Sequence, residues 1–152
     1  MRRHTWMYAV LLCVPASGSA QRESQGVDEA TAIRKTIQAH YFEAHATGSG
    51  EPLRGVFVDD GRMFWASDGQ LRSRTSTDYI NGFSGKPAPD EGQRRRTVLM
   101  VDVTGDVAIA KAELEYPDVQ LIDYFALVRA GGEWKIVSKI FQRYPKQTAA
   151  PK

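Results

Sequence analysis

Leu121 to Arg143, LIDYFALVRAGGEWKIVSKIFQR, restricts what this chain can fold into more than any other stretch. Two long runs rich in β-branched and aromatic residues flank Gly131-Gly132, the pattern of a β-hairpin. Asp123 and Lys139 are the charges that such a hairpin places least easily, because each interrupts a run that otherwise reads as buried. With the turn centred on the glycines, the ladder pairs Asp123 with Lys139, Phe125 with Val137 and Leu121 with Phe141. One face is then apolar, with a single opposite-charge pair across it.

The residues before this hairpin read as helices first and strands later. Asp28 is the expected N-cap of a helix whose apolar stripe is Ala30, Ile33, Ile37, Tyr41 and Ala44, and which stops at Gly48. A shorter second helix starts at Gly50-Glu51-Pro52, turns Leu53, Val56 and Phe57 inward, and ends at Asp59-Asp60-Gly61. A small hairpin follows, Arg62 to Ala66 and Gln70 to Ser73, turning at Ser67-Asp68-Gly69. Thr75 or Ser76 caps a third helix carrying Tyr79, Ile80 and Phe83 on one side. After the loop Ser84 to Gln93, strands Arg96 to Thr104 and Val107 to Tyr116 meet at Gly105-Asp106. The order predicts an α+β domain over residues 28–144, with three N-terminal helices packed on one face of a curved antiparallel sheet.

The first twenty residues stand apart. Arg2, Arg3 and His4 are followed by the short apolar run Trp6 to Val14 and by Ser17-Gly18-Ser19-Ala20. That is the layout of a secretory signal peptide cut after Ala20. The apolar run is far short of the ~20 residues of a membrane span. A lipid anchor on Cys13 is the rival reading, disfavoured by Leu11 and Leu12 where small residues are expected. We therefore expect an exported protein, periplasmic or secreted, with residues 21–27 as a flexible lead-in and 145–152 as a disordered tail. Of 20 Lys and Arg, two lie in the removed segment, which leaves 18 basic against 18 acidic side chains. A balanced chain gives no reason to expect nucleic acid as a partner. Cys13 is the single cysteine, so the fold rests on its core without disulfides.

Three stretches carry a family likeness: Val101-Asp102-Val103-Thr104-Gly105-Asp106-Val107-Ala108, Asp123-Tyr124, and Gly132 to Phe141 (GEWKIVSKIF). With the element order, they resemble the nuclear transport factor 2-like superfamily, and within it the lumazine-binding branch, over residues 28–143. The resemblance implies a cone of curved sheet closed by helices (the cystatin-like barrel), commonly a homodimer through sheet faces, with a cavity that hosts enzymes in some members and plain binders in others. It implies no particular reaction. The family often has a His after the second-helix Phe, whereas here Phe57 is followed by Val58.

Asp123 and Lys139 either face the cavity and recognise a polar ligand group, or form a cross-strand ion pair that only fixes register. Family members resembling ketosteroid isomerases use a cavity carboxylate as base beside a hydroxyl donor. Here that implies Asp123 as base and Tyr41 or Tyr79 as donor. A lysine beside the aspartate stabilises the carboxylate and weakens it as a base, which favours binding over isomerisation. Phe57, Trp65, Phe83 and Phe125 suit an apolar pocket wall, and equally a plain core. His40 and His45 stand five apart, roughly 500° around a helix, so they cannot share a metal, and no third His or Cys remains after cleavage. No metal and no cofactor are expected. Arg94-Arg95-Arg96 reads as a solvated strand end, with anion capture at the cavity rim the lesser alternative.

The expected function is therefore binding of a small, partly apolar molecule. Tyr41, Tyr79, Asp123 and Lys139 would give polar contacts, and Phe57, Trp65, Phe83 and Phe125 the walls. The alternatives are a cofactor-free isomerase, cyclase or dehydratase using Asp123 and Tyr41, and a pocketless interaction module.

Overall fold

The computed structural model describes residues 17–146, so most of the expected signal peptide and the last six residues of the tail lie outside it. Helix α1 (Ser17–Thr36) passes without a break through a π-helical segment (Ile37–Phe42) into α2 (Glu43–Thr47). The helix is thus already formed well before Asp28, which does not cap it. Ala20, Gln21, Arg22 and Glu23 are good helix formers, and nothing in the sequence stops the helix there. Packing starts later: Val27 is exposed, while Ile33, Ile37, Tyr41 and Ala44 are buried in sequence. Gly48 ends the helix in the left-handed conformation, φ 68°.

The second helix is shorter than expected. α3 covers only Glu51–Arg54, and Phe57 opens strand β1 (Phe57–Ser67) rather than closing a helix. Leu53 and Val56 still point inward, fully buried, so the apolar pattern was sound and only the element assignment changes. β1 turns into β2 (Gln70–Thr75) at Asp68-Gly69, both at positive φ, the type I′ turn that matches strand twist. Thr75 caps α4 (Ser76–Asn81), its Oγ1 accepting from the Asp78 N–H at 3.1 Å. Then follow β3 (Arg95–Thr104), β4 (Val107–Glu115), β5 (Val119–Ala130) and β6 (Glu133–Pro145).

The six strands form one curved sheet in the order β2-β1-β6-β5-β4-β3. β1 runs parallel to β6, so the sheet is mixed rather than purely antiparallel. β1 is irregular between Phe57 and Arg62, where the buried Ser76 hydroxyl donates to the Val58 carbonyl at 2.8 Å. The core lies between the long helix and the inner sheet face, where Ile33, Ile37, Leu53, Leu114, Leu127 and Ile136 are all essentially solvent-free.

The β5–β6 register differs from the expected one. Asp123 stands opposite Phe141, Phe125 opposite Lys139 and Leu121 opposite Arg143. Two local facts cause the shift. The expected pairs centre on Gly131, whereas the turn centres between Gly131 and Gly132, with Ala130 opposite Glu133, and Val137 is an extra residue on β6, since Leu127 faces Ile136 while Ala126 faces Ser138. The bulge changes which parity of β6 points inward. Before it Trp134 and Ile136 are buried, and after it Lys139. Asp123 and Lys139 therefore meet diagonally on one face rather than directly across the ladder.

Candidate functional site

The π segment carries the first site residue. Along an α-helix, residues four apart drift by roughly 40° per step, so a stripe Ile33, Ile37, Tyr41, His45 would rotate away from the sheet. The wider π winding turns less per residue and cancels that drift. Tyr41 and His45 consequently face the same space, their rings 4.8 Å apart at 64°. Opposite them, β5 supplies Asp123 and β6 supplies Lys139.

Both charges are buried, Asp123 at 0% and Lys139 at 4% exposure. Lys139 Nζ donates to Asp123 Oδ1 at 3.1 Å and to the Tyr41 hydroxyl at 2.9 Å, and Tyr41 donates to Asp123 Oδ2 at 2.7 Å. The three groups form a closed triangle. The ammonium also lies 4.6 Å from the Phe141 ring centroid and 5.2 Å from that of Tyr79, so aromatic faces shield it where the carboxylate does not. Burial pulls the Lys139 pKa down, opposed by the attraction of Asp123. Burial first, and then the Asp123 charge, push the Tyr41 phenol well up, so it stays protonated.

A hydrogen-bonded chain leads outward from the triangle. The Tyr79 hydroxyl lies 3.3 Å from that of Tyr41 and 2.7 Å from His45 Nε2, and His45 Nδ1 is 3.2 Å from the Tyr116 hydroxyl. With His45 as the Nε2–H tautomer, one direction of donation satisfies every member: Tyr116 to His45, His45 to Tyr79, Tyr79 to Tyr41, Tyr41 to Asp123. Burial above all, then Lys139, Arg96 and Arg94, lower the His45 pKa to about 3. His45 is thus neutral in the folded protein while the unfolded chain protonates it near 6.5. The unfolded state takes the extra proton first, so stability falls as the pH drops below 6.5 and goes on falling towards 3. The expected loss is about 1.4 kcal/mol per pH unit from this group. Urea unfolding at pH 7 and pH 5 should show wild type losing about 2 kcal/mol more than His45→Gln between the two. Equal losses would remove His45 as the acid-sensitive group.

The triangle opens onto a cavity of about 150 Å³. Tyr41 and His45 line it from the helix, Met63 and Trp65 from β1, Arg74 from β2, Tyr79 from α4, Leu121 from β5, and Lys139 and Phe141 from β6. Trp65 and Phe141 stack at 5.3 Å. Of the residues expected at a ligand, Tyr41, Trp65, Tyr79 and Lys139 are on this wall. Asp123 stands behind Tyr41 and Lys139, Phe125 is core packed edge-on to Tyr41 at 4.8 Å, and Phe57 is buried 6.1 Å from the Tyr79 ring. Phe83 lines a neighbouring groove of about 410 Å³, which shares His45, Tyr79 and Arg74 with the cavity.

Some of these residues were not anticipated from the sequence. The sequence sets His45 beside His40 only as a metal pair, and His40 Nδ1 instead lies 2.9 Å from the Pro52 carbonyl. The spacing of four between Tyr41 and His45 was the available signal. Nothing local marked Tyr116 or Arg74. The arginine run is not a solvated strand end: Arg94 pairs with Asp90 at 2.8 Å and lies 4.1 Å over the Tyr116 ring, while Arg96 holds Glu91 with two bonds of 2.6 and 2.8 Å. Only Arg95 faces solvent. Among the described residues, no group of three His, Cys, Asp or Glu is placed to hold a metal ion, and no helix is long and apolar enough to cross a membrane.

A curved sheet covered by a long N-terminal helix, with a cavity between them, defines the nuclear transport factor 2-like, or cystatin-like, class. Solved proteins share it: an NTF2-like protein of unknown function from Shewanella baltica superposes with a TM-score of 0.70, at 22% identity, over 79% of this chain and 97% of its own. One from Methylobacillus flagellatus gives 0.66 at 26% identity, over 78% and 94%. The family described as "Putative lumazine-binding" matches residues 28–142, and the chain belongs to it. The chain is also 30% identical over 109 residues to the aldolase FrzH of a Cladobotryum species, covering 70% of this chain and 85% of that protein.

Proposed function

We propose that the protein takes a small, partly apolar carbonyl compound into the cavity and activates the carbon next to the carbonyl, the step common to aldol-type carbon–carbon bond chemistry. The observation that carries this reading is Lys139: it is buried, it lines the cavity, and Tyr41 and Asp123 use two of its three N–H groups. The third is left to hold a ligand oxygen as negative charge develops on it, while the α-proton leaves to water at the cavity mouth, since Asp123 does not reach the ligand. Tyr41 cannot do so, because its proton goes to Asp123. Asp123, standing behind both, fixes the ammonium rather than touching the ligand. The ligand's apolar part rests against the stacked pair Trp65 and Phe141, which lines the cavity. About 150 Å³ is enough for a benzene-sized group. The likeness to an aldolase supports the same reading.

In a second form of it Lys139 gives up a proton to water, its amine attacks the carbonyl, and the carbinolamine loses water to form an imine. The cavity position of Nζ allows this, and burial, which disfavours the charged lysine, works in the same direction. Exchange of the α-protons of cyclohexanone for deuterium tests both forms together. Wild type should exceed Lys139→Met at least tenfold, and equal rates would sink the proposal. Sodium borohydride then separates the forms, since only the imine leaves a reduced adduct on the peptide containing Lys139. Native mass spectra of the intact protein purified from its own host test the further proposals that the chain is exported with Gln21 as first residue and forms a homodimer.

A further inference from the structure

The groove beside the cavity contains charge that the carbonyl chemistry does not use. Arg74, Lys86 and Arg94 line it and no carboxylate does. Arg94 is already bound to Asp90. Among the described residues, neither Arg74 nor Lys86 makes an ion pair. The guanidinium of Arg74 comes near Gly82, where a Cβ would stand 3.9 Å from Nη1, and Arg74 lines both the groove and the cavity.

The sheet register fixes how far this cation is from the reactive lysine. Arg74 is opposite Met63, and Met63 is opposite Lys139, which places all three in one row across β2, β1 and β6. Two strand spacings separate Arg74 from Lys139, roughly 10 Å between Cα atoms. Both side chains are long and both reach the cavity, so one molecule of modest size can touch the two.

We infer that the groove end is an anion subsite, with Arg74 as its anchor, and that the ligand is an oxo acid whose carboxylate binds there while its carbonyl lies at Lys139. The carbonyl half rests on the function proposed above, and the carboxylate half stands on the groove alone. A planar guanidinium with no internal partner matches the two oxygens of one carboxylate, and Lys86 adds a second positive charge at the mouth. The neighbouring cations act on His45 in the same sense, since Arg94 and Arg96 help to keep it unprotonated. A neutral ligand would leave this field unused.

Binding of aryl acids without a carbonyl chain tests the subsite without relying on Lys139 chemistry. The probes are benzoate, phenylacetate, 3-phenylpropanoate and 4-phenylbutanoate, each against its neutral amide, followed by calorimetry. At the best length the acid should bind at least tenfold tighter than the amide, and the ratio should fall with added salt. Arg74→Gln should bring the ratio close to one, the acid losing much more affinity than the amide, and Arg74→Lys should keep part of it. Arg74 is exposed on β2, so these variants are expected to fold. Acids no tighter than amides at every length, a ratio that survives Arg74→Gln, or no binding by any probe would each overturn the subsite. Failure of α-proton exchange with these binding results intact would overturn the carbonyl chemistry alone.

Discussion

Lys139→Met is expected to destabilise the protein by about 3–5 kcal/mol, because it leaves the Asp123 carboxylate buried without its counter-charge. Tyr41 would still donate to Oδ2, but one neutral hydroxyl does not replace an ammonium. Asp123→Leu is expected to cost a similar amount, for the mirror reason that a buried ammonium is left behind. Asp123→Leu/Lys139→Met removes both charges at once and should cost far less than the sum of the single changes. Urea midpoints for the four proteins of this cycle measure the coupling. Additive losses would mean that water or another group compensates each charge, and that the triangle is weaker than its distances imply. The double variant also provides a folded protein without Lys139 for the exchange assay, where the single variant unfolds.

Gly48→Ala is the second large effect. The glycine is buried at φ 68°, and a Cβ there would come within 1.8 Å of the Lys86 carbonyl oxygen and 2.4 Å of its carbon. Both are backbone atoms, so no side chain can turn aside. The Gly85 N–H also donates to the Gly48 carbonyl at 2.7 Å, which ties the helix end to the loop carrying Lys86. Left-handed backbone alone costs a non-glycine residue about 1–2 kcal/mol. Gly69→Ala is the control, since Gly69 has a similar φ of 71° and open space around it. Thermal unfolding should show Gly48→Ala losing clearly more than Gly69→Ala, with faster hydrogen exchange at Ser84 to Lys86 in the former only. Equal losses would show that the loop moves aside freely and does not shape the groove.

The fold was largely legible in the sequence because its signals are periodic. The stripe from Ile33 to Ala44, the Asp68-Gly69 turn and the Thr75 cap follow from local rules, and family likeness in the last strands supplied the arrangement. Legibility failed where one residue breaks a period. The extra Val137 in β6 shows no compositional mark, and without it the Asp123–Lys139 register is miscounted. The start of α1 was misplaced because an acceptable cap at Asp28 does not stop a helix whose upstream residues also favour it. In the site, Tyr41 and Lys139 were readable as polar groups in apolar runs. Tyr116, His45 and Arg74 come from three distant elements and gain meaning only where tertiary packing brings them together. The arginine run was misread because Asp90 and Glu91, which hold Arg94 and Arg96, belong to what looked like a plain loop.

The bulge at Val137 has a consequence for how such chains diverge. Strand β6 serves two tasks with opposite parities: Trp134 and Ile136 seal the core beneath the helix, and Lys139 and Phe141 face the cavity. A substitution at Val137 leaves that division in place. Deletion of a single residue there, or insertion of one, would turn Lys139 to the outer surface while keeping every side chain of the site in the sequence. Between related chains, residue count across Trp134 to Lys139 is therefore a stronger guide to a shared site than residue identity within it.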